Sequence, residues 1–142
     1  MEKNKKYNVI IDTNVIVSAL LTKNTDSATF KVMKLFFDNE IVLYYSKQIM
    51  NEYLEVLSRE KFKFNSDLIE SIKAAIEKFG IEITPKNRDT LMIDVKDKPF
   101  YEIVMDEQID AAKLITGNIK HFPIQTNIMT PAQFMEIYTS NK

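Results

Sequence analysis

The sequence predicts an α/β fold in which a parallel β-sheet is covered by helices on both faces. Three observations carry this expectation. Apolar runs of strand length alternate along the chain with amphipathic stretches of helical period, the pattern of βαβ units. The first run, "YNVII", has no polar alternation, as befits a central strand buried on both sides. Only two glycines and four prolines interrupt 142 residues, without any linker-like or repetitive segment, so residues 1–142 read as one domain.

Taken in order, residues 7–11 form the first strand, and "NVIVSALL" from Asn14 starts a helix. Ser27 is placed to cap the next helix, "SATFKVMKLFFDN", and "IVLYY" follows as a strand. Ser46 caps "KQIMNEYLEVLSREKF", read as one helix with Ile49, Tyr53, Val56 and Leu57 in an apolar stripe. A further helix, "SDLIESIKAAIEKFG", starts at Ser66 and stops at Gly80. "IEIT" is a short strand, and Pro99 opens a helix over "KPFYEIVMDEQ". "AKLIT" is a strand ending at Gly117, "NIMT" is another, and Pro131 opens the last helix, "PAQFMEIY".

The totals narrow the functional classes. Hydrophobic residues at 45% and charged residues at 27% describe a globular protein rather than a disordered one. There are no cysteines, which excludes disulfides and thiolate metal sites and suits a reducing compartment. No apolar run approaches the roughly 20 residues of a membrane span. The basic "EKNKK" is followed by a run that Asp12 interrupts, unlike a secretory signal, so the expected location is the cytoplasm, with no membrane partner. A net charge of −1 gives no global attraction to nucleic acid, so any such partner must be engaged locally.

In parallel-sheet folds, ligands gather at the carboxyl ends of the strands. Asp12 lies at the end of the first strand, in the polar trio Asp12, Thr13 and Asn14 of an otherwise apolar run. Asn118 follows the strand "KLIT" and Gly117, Asp97 precedes the helix that Pro99 opens, and Glu52 lies beside Tyr53 on the helix after the second strand. Carboxylates that converge repel one another unless a cation neutralises them, and hard ions such as Mg²⁺ or Mn²⁺ suit oxygen donors. Each residue also has a plainer reading. Asp12 and Asp97 are placed as helix caps, Glu52 as a solvated helix residue, and Asn118 as a turn residue. The charges of "SREKFKF" read as a solvated face, and His121 as a surface or packing residue.

Five segments in order, "VIIDTNVIVSALL", "SKQIMNEYLEVLSREKF", "DVKDKPFYEIV", "LITGNIKHFP" and "IMTPAQFMEIY", resemble the PIN domain family, specifically its toxin subgroup. The resemblance covers almost the whole chain, with little signature at about 62–80. It implies a three-layer α/β/α sandwich and a Mg²⁺- or Mn²⁺-dependent nuclease site that cuts RNA. The family's acidic positions fall on Asp12, Glu52 and, in "KDKPF", Asp97, with Asp94 as the alternative. Asn14 matches the small polar neighbour of the first position, and Thr116 matches the threonine before the fourth. That fourth position is usually aspartate and is Asn118 here. A neutral amide weakens the attraction for a second ion, so one firmly held ion and a weaker second are expected.

The resemblance further implies an antitoxin protein as partner and a homodimer, for which Phe36 and Phe37 are candidates alongside their reading as core. Lys98 and Lys120 are candidate phosphate contacts. With no cysteine and no histidine in the acidic motifs, metal-activated water rather than a covalent intermediate is the expected chemistry. A rival reading is a PIN-like module that binds RNA or protein without cleaving, for which Asn118 speaks. A phosphatase-like metal hydrolase fits less well, because "DTN" lacks a second aspartate two residues on.

Overall fold

A computed structural model of the protein describes residues 6–85, 97–106, 108–123 and 125–141. Among the described residues five strands form one parallel sheet: β1 (Asn8–Ile11), β2 (Val42–Tyr45), β3 (Ile81–Glu82), β4 (Lys113–Ile115) and β5 (Ile128–Met129). Their order is β3-β2-β1-β4-β5. Among the described residues the helices are α1 (Thr13–Leu21), α2 (Ala28–Phe37), α3 (Lys47–Leu57), α4 (Ser66–Phe79), α5 (Lys98–Val104) and α6 (Pro131–Ser140). The expected α/β architecture is present, and none of these helices is long and apolar enough to cross a membrane.

β1 is the centre of the core. Val9, Ile10 and Ile11 are all fully buried, and successive side chains of a strand face opposite sides, so both faces of β1 are covered. This is why "NVII" shows no alternation. It pairs with β2 on one side, Val9 opposite Leu43, and with β4 on the other, Ile11 opposite Ile115. α1 packs on α2 and α2 on α6, while α3 packs on α4 and α5, and α1 meets α3. The chain leaves β1 toward β2 and later returns to its other side at β4, so the topological switch point lies between β1 and β4.

Several element ends differ from the sequence reading, each for a local reason. α3 stops at Leu57 instead of running to Phe62: Ser58 turns its hydroxyl back onto the Leu54 carbonyl at 2.7 Å. The chain then extends at Arg59 and forms a separate 3₁₀ turn, Glu60–Phe62. α4 starts at Ser66 as expected, capped by Asn65, whose side chain accepts from the Leu68 amide. α5 ends at Val104, and Asp106 accepts from the Gln108 amide at 2.8 Å, a local turn that competes with further helix. Ser27 and Ser46 cap α2 and α3 as expected, and Thr130 and Gln133 form a reciprocal capping box on α6. Phe36 is fully buried and hence core, whereas Phe37 is 43% exposed.

Gly80 stops α4 without the left-handed turn expected of a C-terminal glycine; its backbone is extended. The requirement is close approach. A Cβ at this position would lie 2.6 Å from the Ile76 carbonyl oxygen and 3.2 Å from that of Leu43 on β2. Gly80→Ala is therefore expected to destabilise the protein by about 1–3 kcal/mol. Urea denaturation tests this, and an unchanged midpoint would show that α4 can leave β2 at no cost.

Candidate active site

The three polar residues that interrupt the first apolar run each reach a different element. Asp12 sits at the N-cap position of α1, but its side chain makes no capping bond. Its backbone N–H donates to the Ile115 carbonyl at 2.9 Å, extending the β1–β4 ladder past the strand. Its carboxylate accepts a 2.6 Å hydrogen bond from the Thr116 hydroxyl, at the end of β4. Thr116 is fully buried, and its oxygen also accepts from the Asn118 backbone amide at 3.0 Å. A relay of hydrogen bonds thus runs from the loop after β4 to the end of β1, across the switch point.

Thr13, also buried, donates at 2.5 Å to the Glu52 carboxylate on α3. Asn14 uses both ends of its amide. The Nδ2 donates to Asp12 at a long 3.5 Å, and the Oδ1 accepts from the Gly117 N–H at 3.3 Å. An aspartate there would lose the donor and add a repelling charge, which accounts for the amide. Beside Glu52, the fully buried Tyr53 donates its hydroxyl to the Ile11 carbonyl at 2.5 Å and so pins α3 to the end of β1. Burial, then the negative charges of Asp12 and Glu52, push the Tyr53 hydroxyl well above its usual range and keep it a donor.

Asp97 occupies the N-cap position of α5, again without a side-chain capping bond. Its carboxylate lies 3.3 Å from Nδ1 of His121, in the 3₁₀ turn Ile119–His121 after β4. Asp12, Glu52 and Asp97 line one cleft of about 770 Å³, with Asn118 and His121 also on its wall. Asp94 lies outside the described residues. Lys98 and Lys120 are not on the cleft wall; among the described residues the cationic side chains there are Arg59 and, when protonated, His121. Thr13, Tyr53 and His121 had no functional assignment from sequence. The polar trio was a signal for Thr13, whereas His121 approaches Asp97 only through the fold.

Burial raises the Asp12 carboxyl above its ordinary value of 3.8; the Thr116 bond opposes this and the charge of Asp97 adds to it. Glu52 is likewise raised above 4.5, by burial first, against the Thr13 bond and with the charges of Asp12, Asp97 and Glu55. The three carboxylates therefore repel one another across the cleft, an arrangement that a cation relieves. As they stand, no three carboxylate or imidazole groups among the described residues are gathered tightly enough to enclose an ion. Their chemistry fits a hard divalent cation: oxygen donors from β1, α3 and α5, held in an open cleft.

Because both carboxyls hold their protons more tightly folded than unfolded, their contribution to stability is lost as pH rises through the raised values. In metal-free buffer, Asp12→Asn removes a buried charge yet keeps an acceptor for Thr116. Thermal melts should find it at least as stable as the wild type at pH 7, with an advantage that grows as pH climbs above 3.8. Thr116→Val keeps the shape but strips the donor from a buried carboxylate, and is expected to cost about 1–3 kcal/mol at pH 7. A wild type that gains on Asp12→Asn with rising pH would contradict this electrostatic picture.

A family model for the PIN domain matches residues 8–120, a span that contains Asp12, Glu52, Asp97 and Asn118. The uncharacterized protein MJ1680 of Methanocaldococcus jannaschii is 29% identical, and the alignment covers 96% of each chain. A family match over this much of the sequence identifies the chain as a member of the PIN domain family, whose proteins are generally nucleases and typically use divalent metal ions.

Proposed function

We propose that this protein is a Mg²⁺- or Mn²⁺-dependent endoribonuclease whose catalytic centre is formed by Asp12, Glu52 and Asp97, with Asn118 on its rim. The observation that carries the reading is the opening of these three carboxylates on one cleft at the β1–β4 switch point. The ion they would hold supplies an activated water and neutralises charge on the phosphoryl oxygens. The protein's own residues do the positioning. Thr116 and Asn14 hold Asp12, Thr13 holds Glu52, and His121 leans on Asp97. The Thr116 and Thr13 hydroxyls offset part of the rise that burial imposes on Asp12 and Glu52 and keep both carboxylates aimed.

Within this reading the protein acts as the toxin of a toxin–antitoxin pair in the cytoplasm, restrained by a small antitoxin and working as a homodimer. The toxin-like segments of the sequence support it, and a short reading frame beside the gene is its first check. The neutral Asn118 favours a second reading, a PIN-like module that binds RNA or protein with weakened catalysis. One assay separates the two. A labelled single-stranded RNA incubated with Mn²⁺ should be cut, and EDTA should abolish cutting. Asp12→Asn should lower the rate by at least about 10²-fold without unfolding the protein. Binding without cleavage by the wild type would favour the second reading.

Asn118 also bears on metal stoichiometry. Calorimetry with Mn²⁺ should register one firm site in the wild type and a stronger second site in Asn118→Asp, since an added carboxylate restores a full charge. Identical isotherms would remove Asn118 from the metal site.

A further inference from the structure

The segment "SREKFKF" reads in sequence as a solvated face, but the structure turns part of it into the cleft. Glu52, Val56 and Arg59 recur at i, i+4 and i+7 and all line the cleft, so Arg59 lies about 10 Å along the α3 direction from Glu52. The break of α3 at Ser58 and the following 3₁₀ turn bring Phe62 to the same wall. Lys63 then adopts a left-handed backbone, φ 57°, uncommon for a residue with a side chain. That reversal folds Phe64 against Phe62, with ring centroids 5.7 Å apart and planes 20° from parallel. Phe62 is therefore braced by a second ring yet only half-buried at the cleft.

The charges around it fit a polyanion. Arg59, Lys61 and Lys63 alternate with Phe62 and Phe64, offset within the segment by Glu60 alone, and Lys61 Nζ lies 5.1 Å from the Phe62 ring centroid. Among the described residues Arg59 pairs with Glu55, at 3.0 Å, and both side chains are exposed, at 45% and 62%. Such a surface pair holds its arginine weakly, so a phosphate can take Glu55's place. A cationic side chain next to a braced aromatic face is the pairing that binds single strands: the arginine takes a phosphate and the ring takes a base. A base within a duplex has both faces already stacked, so the ring selects unpaired nucleotides.

We propose that Arg59 and Phe62 form a subsite for one unpaired nucleotide beside the bond to be cut, with Phe62 stacking on its base and Arg59 holding its phosphate. The proposal rests on the nuclease reading for its position relative to the cut, while the binding itself can be measured separately. Fluorescence anisotropy with a labelled single-stranded RNA, on the Asp12→Asn background with Mn²⁺ present, reads the subsite without cleavage. Phe62→Leu, which keeps apolar bulk but no ring, should weaken binding about tenfold, and Phe62→Trp should restore it. Arg59→Gln should weaken binding to a similar extent and lower the salt slope by about one. On the cleaving protein the same changes should raise KM and leave kcat nearly constant. Unchanged Kd and KM in both variants would overturn the subsite even if the wild type cleaves RNA. Equal losses for a duplex of the same sequence would overturn base stacking. Ring-dependent binding by a wild type that does not cleave would uphold the subsite and sink the nuclease reading instead.

Discussion

The hydrogen bond from the Thr116 hydroxyl to the Asp12 carboxylate is where the sheet and the site become one structure. It closes the gap between the ends of β1 and β4, the neighbouring pair at which the chain, among the described strands, reverses its direction of travel across the sheet. An ionised carboxylate this deeply buried at the end of an apolar strand is costly without a donor. Thr116 supplies the donor from the neighbouring strand, and the Asn118 amide in turn holds the threonine oxygen. The apolar core around Val9, Ile10 and Ile11 thereby ends in an oriented charge instead of an unsatisfied one.

Around that bond the site is built from residues that satisfy some of the carboxylates' needs and leave others open. Thr13 and Thr116 lower the cost of ionisation, while burial and the mutual repulsion of Asp12, Glu52 and Asp97 raise it. The balance leaves acidic groups whose charged forms a cation would favour. Stability and binding are in tension here, as they are wherever a fold holds like charges together for chemistry. The nearby Tyr53 shows the opposite treatment: its hydroxyl is deeply buried but fully used, so it serves as an anchor rather than a reactive group.

Much of this was legible in the chain. The unalternating "NVII" marked the central strand, and the polar trio marked where it ends; Ser27 and Ser46 marked two helix starts. What was hidden depended on contacts between residues far apart in sequence. Asp12 as a cap and Asp12 as a site residue look identical until Thr116, at the end of another strand, is seen to hold its side chain. His121 looked like a packing residue because nothing local announces Asp97. The stop of α3 at Ser58 was missed because "SREKF" holds no glycine or proline to announce it, while one hydroxyl folding back on the Leu54 carbonyl marks the end. Gly80 was assigned the right role for the wrong reason, since what requires it is crowding, foremost from the Ile76 carbonyl of α4 and then from Tyr45 and Leu43 of β2, and not a left-handed turn.

α3 carries Glu52 in its second turn, Arg59 lies just beyond its end, and Tyr53 bolts it to β1. A helix held in this way is a ruler. Its length does not stretch with temperature, so the interval between Glu52 and the helix end, just past which Arg59 lies, is a constant of the fold. Any strand that engages both ends must do so in a single register. For the RNA proposed as substrate, selectivity would then come from counting nucleotides along the cleft, without a single hydrogen bond to a base edge.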